Sequence, residues 1–467
     1  MPPHLGHAAA CLLALGVLGA VAPAGCGGGG APTINLAFRE PADPTFLDGV
    51  DAFLFSVEDA RGQPLVLRRF GPQVPLRLTD VPFGAQLTVS LDGLFGPAPI
   101  VGGRTCPFDV LAGAPPPRVS MFLASLGTFN PTTPPSGAPR SSPLAIARQD
   151  GRVLLGGGTT TDGVVATAQQ YDARTGLWAM APPLPIARSG AAVAVLPGGT
   201  LVVGGVGADG APVAEVDRYD DITGMHPVTS TPALALTDTA VVALPDGTAL
   251  IAGGASAGGG PVGTAWLYAG TTVVPVAAEM VTPRSAHTLS AVGTGNFAAV
   301  FAIGGAGADG APLGSIELYD PRTSATAAFT LKTATLHTPR VAHTATVLET
   351  GEILIAGGRG PNGELPLEAE LFDPITNTVQ AAGTLAEGRV GHTATLLGDG
   401  RILVTGGIGI AGSPLATAEI YDPSFRNFAA ARPLDVKRAR HAALPLCDGT
   451  VLVVGGGDGA ELYNPRR

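Results

Sequence analysis

The sequence predicts an all-β protein, a seven-bladed β-propeller preceded by a small β-sandwich. Gly-Gly pairs recur at Gly157-Gly158, Gly204-Gly205, Gly253-Gly254, Gly304-Gly305, Gly357-Gly358, Gly406-Gly407 and Gly455-Gly456, with steps of 47, 49, 51, 53, 49 and 49 residues between first glycines. Each pair closes a short apolar run, and a period of about 50 residues built on short strands marks one supersecondary unit used repeatedly. Between residues 31 and 126, alternating runs bounded by Gly, Pro or Asp read as a separate small module.

The first element is a targeting segment, residues 1–26. The run Ala8 to Ala22 is apolar but too short for an ordinary membrane-spanning helix, and it ends in small residues before Cys26 and the tether Gly27 to Gly30. This resembles a bacterial lipoprotein signal, which implies acylation of Cys26, an extracytoplasmic location and contact with a membrane through the lipid. With Cys26 acylated, Cys106 and Cys447 remain in the mature chain, and two buried thiols are expected in preference to a bridge.

The module at 31–126 is read from the runs Ile34–Phe38, Ala52–Val57, Pro64–Leu67, Pro75–Leu78, Gln86–Leu91 and Arg118–Leu123. Its phrase Leu76-Arg-Leu-Thr-Asp-Val-Pro-Phe-Gly84 is similar to prealbumin-type or immunoglobulin-like spacer modules. No chemistry is visible in it.

The sixth repeat shows the unit most clearly. His392 to Leu397 reads as strand a, Gly398-Asp399-Gly400 as a hairpin turn, Arg401 to Thr405 as strand b, and Ala418 to Tyr421 as strand c. Asp422-Pro423 then turns the chain into a strand d around Phe428. The glycine pair sits where a side chain would block close approach of neighbouring backbone. Repeats begin near residues 140, 188, 236, 284, 340, 389 and 438, within a domain at 127–467. The seventh stops after strand c, and the segment 128–139 is expected to supply its fourth strand. Radial packing of the blades would leave few open edges.

The pattern resembles the kelch repeat: a Gly-Gly pair after the second strand, a later Tyr, and a Trp in the fourth strand. The tyrosine position holds Tyr171, Tyr219, Tyr268, Tyr319, Phe372, Tyr421 and Tyr463, while the tryptophan position is filled only by Trp178. The chain resembles exported bacterial kelch lipoproteins of the galactose oxidase-like superfamily.

Composition excludes some partners. Net charge is −10, and charged residues make up 14% against a usual ~25%. There is no run of Lys or Arg, so no nucleic-acid partner is expected. The 67 glycines and 43 prolines fall at periodic turns, which argues against disorder.

In an up-and-down blade, the b–c and d–a connections lie at one end. That face gathers Arg284 and His287, Arg340 and His343, Arg389 and His392, and Arg438 and His441, with Arg140 and Arg188 in the first two units and Leu236 and Thr239 breaking the series in the third. It also carries the repeated loops Gly207 to Pro212 and Gly307 to Pro312, which contain Asp209 and Asp309. In kelch domains that bind peptides the ligand lies here, so the resemblance implies a surface for a peptide, protein or glycan. The structural alternative makes the arginines satisfy carbonyls between blades. Histidines on successive blades should lie too far apart to share a metal ion, and no cofactor is implied. The series Glu317, Glu370, Glu419 and Glu461 reads as framework. The expected function is therefore binding or scaffolding without catalysis. A carbohydrate-active enzyme similar to a sialic acid mutarotase or to galactose oxidase is the first alternative, and a purely structural envelope protein the second. The oxidase needs a Tyr-Cys crosslink and paired His ligands, which are not seen. The mutarotase needs an acid and a base in the channel, and that alternative stands open.

Overall fold

The computed structural model describes residues 34–72, 74, 81–148, 150–220, 223–230, 233–293, 298–321 and 329–465. The targeting segment, Cys26, the glycine tether and the run Pro75 to Leu78 lie outside the described residues. Among the described residues every regular element is a strand, and no helix is long and apolar enough to cross a membrane.

The N-terminal module has two sheets. Asn35–Arg39 pairs in parallel with Arg118–Phe122. A second sheet runs in the order Pro64–Phe70, Ala52–Glu58, Gly84–Phe95, Ala98–Arg104, Ala124–Ser125, with Phe108–Val110 also on Gly84–Phe95. Leu36, Phe55, Val57, Leu87, Val89, Leu91 and Met121 form their shared core. Ala98–Arg104 went unread in the sequence because Gly102 and Gly103 resemble a turn. They are glycines for packing: a Cβ on Gly103 would sit 2.6 Å from the Phe122 carbonyl, and one on Gly102 would sit 2.8 Å from Leu126.

After the module, six sheets hold seven antiparallel four-strand groups. Their first strands are Leu144–Ala147, Ala192–Leu196, Ala240–Ala243, Thr288–Val292, Thr344–Val347, Thr393–Leu396 and Ala442–Pro445. The second and third groups share one sheet, joined by a parallel pairing of Thr229 with Thr272 and Ser230 with Val273. In the sixth group the strands are Thr393–Leu396, Ile402–Thr405, Ala418–Asp422 and Asn427–Ala430. Second strands such as Ile353–Ala356 and Ile402–Thr405 are buried along their whole length. The fourth strand of the seventh group is Thr128–Thr132, paired with Ala460–Asn464 so that Phe129 faces Tyr463.

Four groups pack an aromatic ring of the outer strand on the third-strand tyrosine: Tyr171 on Trp178 at 5.1 Å, Tyr319 on Phe329 at 5.2 Å, Tyr421 on Phe428 at 5.0 Å and Tyr463 on Phe129 at 4.8 Å. Phe329 and Phe129 thus do the work of the tryptophan that the sequence shows only once.

The Gly-Gly pairs close the series. The amide of the second glycine donates to a carbonyl at the start of the next group: Gly158 to Arg188, Gly205 to Leu236, Gly254 to Arg284, Gly305 to Arg340, Gly358 to Arg389, Gly407 to Arg438, and Gly456 back to Arg140. A Cβ on the first glycine would meet the same carbonyl, at 2.6 Å for Gly357 and Arg389 and at 2.5 Å for Gly406 and Arg438. Both glycines also have positive φ, +61° at Gly357 and +91° at Gly358, so any other residue would clash and strain the turn.

The cysteines correct the reading of two buried thiols: Cys106 and Cys447 form a disulfide across a sequence separation of 341 residues. It joins the module to the first hairpin of the seventh group, and Gly151 leaves room for it, since a Cβ there would lie 2.7 Å from the Cys447 sulfur. Polar contacts reinforce this seam. Asn464 Nδ2 donates to the carbonyls of Gly102 at 2.8 Å and Ala124 at 2.9 Å, and Arg39 donates to Ala173 at 2.6 Å.

Candidate functional site

The arginines that the sequence places on one face are wholly buried. Arg284, Arg340, Arg389 and Arg438 are each 0% exposed. Arg340 donates to the Thr338, Gly357 and Glu368 carbonyls and reaches Glu370 Oε1 at 2.5 Å. Arg284 pairs likewise with Glu317, Arg389 with Glu419, and Arg438 with Glu461. Arg188 uses Asp217 in the second group. The carboxylates in turn accept backbone amides just ahead of the arginine, as Glu317 does from Val281 at 2.7 Å and Thr282 at 2.9 Å. Each cluster therefore ties the glycine turn, the third strand and the incoming chain together, with its donors occupied inside the protein.

The third group does without this cluster. Leu236 stands in the arginine position and Trp266 in the carboxylate position, and both lie in one apolar cluster. One exchange accompanies the other, so no charge is left buried alone.

The histidines lie between neighbouring groups. His343 Nε2 is 3.1 Å from Thr288 Oγ1, His392 Nε2 is 3.1 Å from Thr344, and His441 Nε2 is 2.9 Å from Thr393. Burial, reinforced by the adjacent guanidinium groups, lowers all four imidazoles to about 3. His287 differs, because neither of its buried ring nitrogens has a partner. Its neighbour in the third group is Ala240, where the next three groups carry threonine. Ala240→Thr is expected to supply the missing hydroxyl and stabilise the protein by about 1 kcal/mol. The check is a denaturant midpoint that rises with unchanged slope, and no rise would mean that His287 is already satisfied.

Asp209 and Asp309 shape turns. Each accepts from the amide two residues on, Ala211 and Ala311, at 3.0 Å. Both residues are exposed.

A further feature is absent from the sequence reading. Two residues beyond each arginine position, the chain adopts positive φ: at Ser142, Gly190, Asp238, Ala286, Ala342, Gly391 and Arg440. Each lies just ahead of a first strand. Amides run head to tail between them: Ser142 donates to Arg440 at 2.7 Å, Gly190 to Ser142 at 3.0 Å, Ala286 to Asp238 at 2.9 Å, Ala342 to Ala286 at 3.0 Å, and Arg440 to Gly391 at 2.7 Å. Two steps, Gly190 to Asp238 and Ala342 to Gly391, lack such a bond among the described residues, so the seven turns form an interrupted rim. Asp238 and Arg440 are its charged members. Both are exposed, and neither side chain has a partner among the described residues. The signal was a register, two residues past the arginine, rather than a residue type. The first strands inside this rim carry no ionisable residue, and Val193, Val195 and Leu396 stay partly exposed there.

No family model matches the chain, and no curated protein matches it. Solved structures do match. A fungal alcohol oxidase of the AA5 family, in complex with copper, is similar at TM-score 0.57 and 18% identity, covering 73% of this chain and 76% of that one. YjhT is similar at TM-score 0.50 and 15% identity, covering 64% of this chain and 98% of that one. Both neighbours are of β-propeller type, and at these identities they show the fold alone. The residues here do not fit the oxidase's copper. Among the described residues no three His, Cys, Asp or Glu side chains are grouped to hold a metal ion, and the four buried histidines sit one to a group.

Proposed function

We propose that this chain is an exported binding or scaffold protein. In this reading its sheets are the blades of a seven-bladed kelch propeller, its N-terminal module is a β-sandwich spacer, and Cys26 carries a lipid that holds it in a bacterial cell envelope. The ligand is a peptide, protein or glycan, bound on the face that carries the b–c and d–a loops. The observation that carries this is the rim ahead of the first strands, where Asp238 and Arg440 hold exposed, unpaired charges on backbone in a left-handed conformation. Non-glycine residues in that region are uncommon, and such strain collects at binding sites. A free carboxylate and a free guanidinium suit a polar ligand that bears both a donor and an acidic group. Asp209 and Asp309 stand on exposed turns of the b–c loops. The arginine and histidine series supports this face from beneath.

An enzyme of mutarotase or galactose oxidase-like type is the alternative, and the oxidase neighbour lends it the fold. No ionisable residue stands on any first strand, so in that alternative the acid and base come from the loops.

The test is a glycan and peptide array on the full chain, followed by Asp238→Asn, Arg440→Gly and the pair Asp209→Ala, Asp309→Ala. Asn and Gly tolerate positive φ, so stability should stay within about 0.5 kcal/mol. Binding is expected to fall at least tenfold in each rim variant. An array hit indifferent to every one of these changes, or an array with no hit, would overturn the reading.

A further inference from the structure

We propose a second binding site, for a small organic anion, in the cleft between the N-terminal module and the first four-strand group. It lies on the end of the ring opposite the rim, because Arg174 belongs to the turn between third and fourth strands and Cys447 to a turn between first and second strands. The cleft has a volume of about 390 Å³ and is walled by Cys106, Phe108, Asp109, Arg118, Ser120 and Arg174. Clefts of this size at domain boundaries are where small molecules are commonly held.

Arg118 comes from the module and Arg174 from the first group. Both are exposed, and neither guanidinium has a side-chain partner among the described residues. That is unlike the buried arginines of the ring and Arg104 of the module, which pairs with Glu58 at 3.1 Å. Asp109 also lines the cleft, but among the described residues no ion pair joins it to either arginine. Its Oδ1 accepts the Gln86 amide at 2.8 Å and Gln86 Nε2 at 3.4 Å, and Gln86 itself is held at φ 53° to make these bonds. Two planar forks facing one cleft are suited to a carboxylate or sulfate group. Phe108 and the adjoining prolines give an apolar wall for the body of the ligand.

The backbones of the two walls are tied together across the seam. The disulfide Cys106–Cys447 forms part of the lining, and Arg39 and Asn464 tie the module down beside it. A site that needs no closure keeps more of its contact energy as affinity.

Isothermal titration of the full chain with glucuronate, inorganic sulfate and glucose tests this. Glucuronate is expected to bind and sulfate to compete with it, while neutral glucose does not bind. Competition by sulfate marks the oxyanion as the anchor, whereas glucuronate binding without competition marks the carboxylate specifically. Arg118→Ala and Arg174→Ala are each expected to weaken glucuronate binding at least tenfold, and Arg440→Gly is expected to leave it unchanged, which separates this site from the rim. Both arginines are exposed, so folding should be little affected. No binding of glucuronate or sulfate at millimolar concentration, or binding indifferent to both arginine substitutions, would overturn the proposal.

Discussion

Arg340→Ala is expected to destabilise the ring of sheets by about 3–5 kcal/mol, the usual cost of removing one partner of a buried ion pair. Glu370 would be left 0% exposed without its cation, and the Gly357 carbonyl would lose a donor. Denaturant unfolding of the variant gives the measurement, and a loss below about 1 kcal/mol would show that the cluster relaxes or admits water. The third group supplies the control. Arg340→Leu combined with Glu370→Trp copies its Leu236 and Trp266, and should cost less than either change alone. A double-mutant cycle then reports the coupling directly.

The second large effect is acid lability. The four buried histidines hold folded values of about 3, against about 6.5 in an unfolded chain. Below pH 6.5 the unfolded chain binds protons that the folded chain refuses. Stability is therefore fully present above pH 6.5 and is lost as pH falls from there towards 3. Each histidine contributes a slope of up to about 1.4 kcal/mol per pH unit. Asp217 and Asp448 act in the opposite sense, because burial raises their carboxyl groups and protonation then favours the fold. The expected result is a stability plateau above pH 7 and a steep decline from pH 6.5 to 5. His392→Gln should remove one histidine's share of that slope whatever it does to stability at pH 7. A flat profile over this interval would show that the imidazoles take up protons inside the fold.

The all-β class was legible because its signals are local. Only glycine permits the approach of Gly357 to the Arg389 carbonyl, so the requirement is written in residue type. The threonines after His287, His343 and His392 form an equally readable pattern, since each faces a histidine of the next group. The disulfide was not legible, because a separation of 341 residues leaves no local trace. Asp238 and Arg440 were missed for another reason. The rim needs a backbone conformation at seven places, and residues as different as Ser142, Ala286 and Arg440 adopt it. Phe329 escaped notice because it lies ten residues after Tyr319, where Trp178 and Phe428 lie seven after Tyr171 and Tyr421.

The seam between module and ring also sets how the molecule carries tension. A pull on the chain ahead of Cys106 divides there into two paths. One follows the main chain to the outermost strand of the seventh sheet, Thr128–Thr132, and the other crosses the sulfurs into that sheet's first hairpin at Cys447. Both ends of the sheet that shuts the ring are then loaded together, and its outer strand is not peeled off by itself. Residues 107–446 lie within the covalent loop, so a pull between the two termini bypasses most of the ring through a single bond. Reduction would remove that bypass and leave the hydrogen bonds between Thr128–Thr132 and Ala460–Asn464 to carry the load.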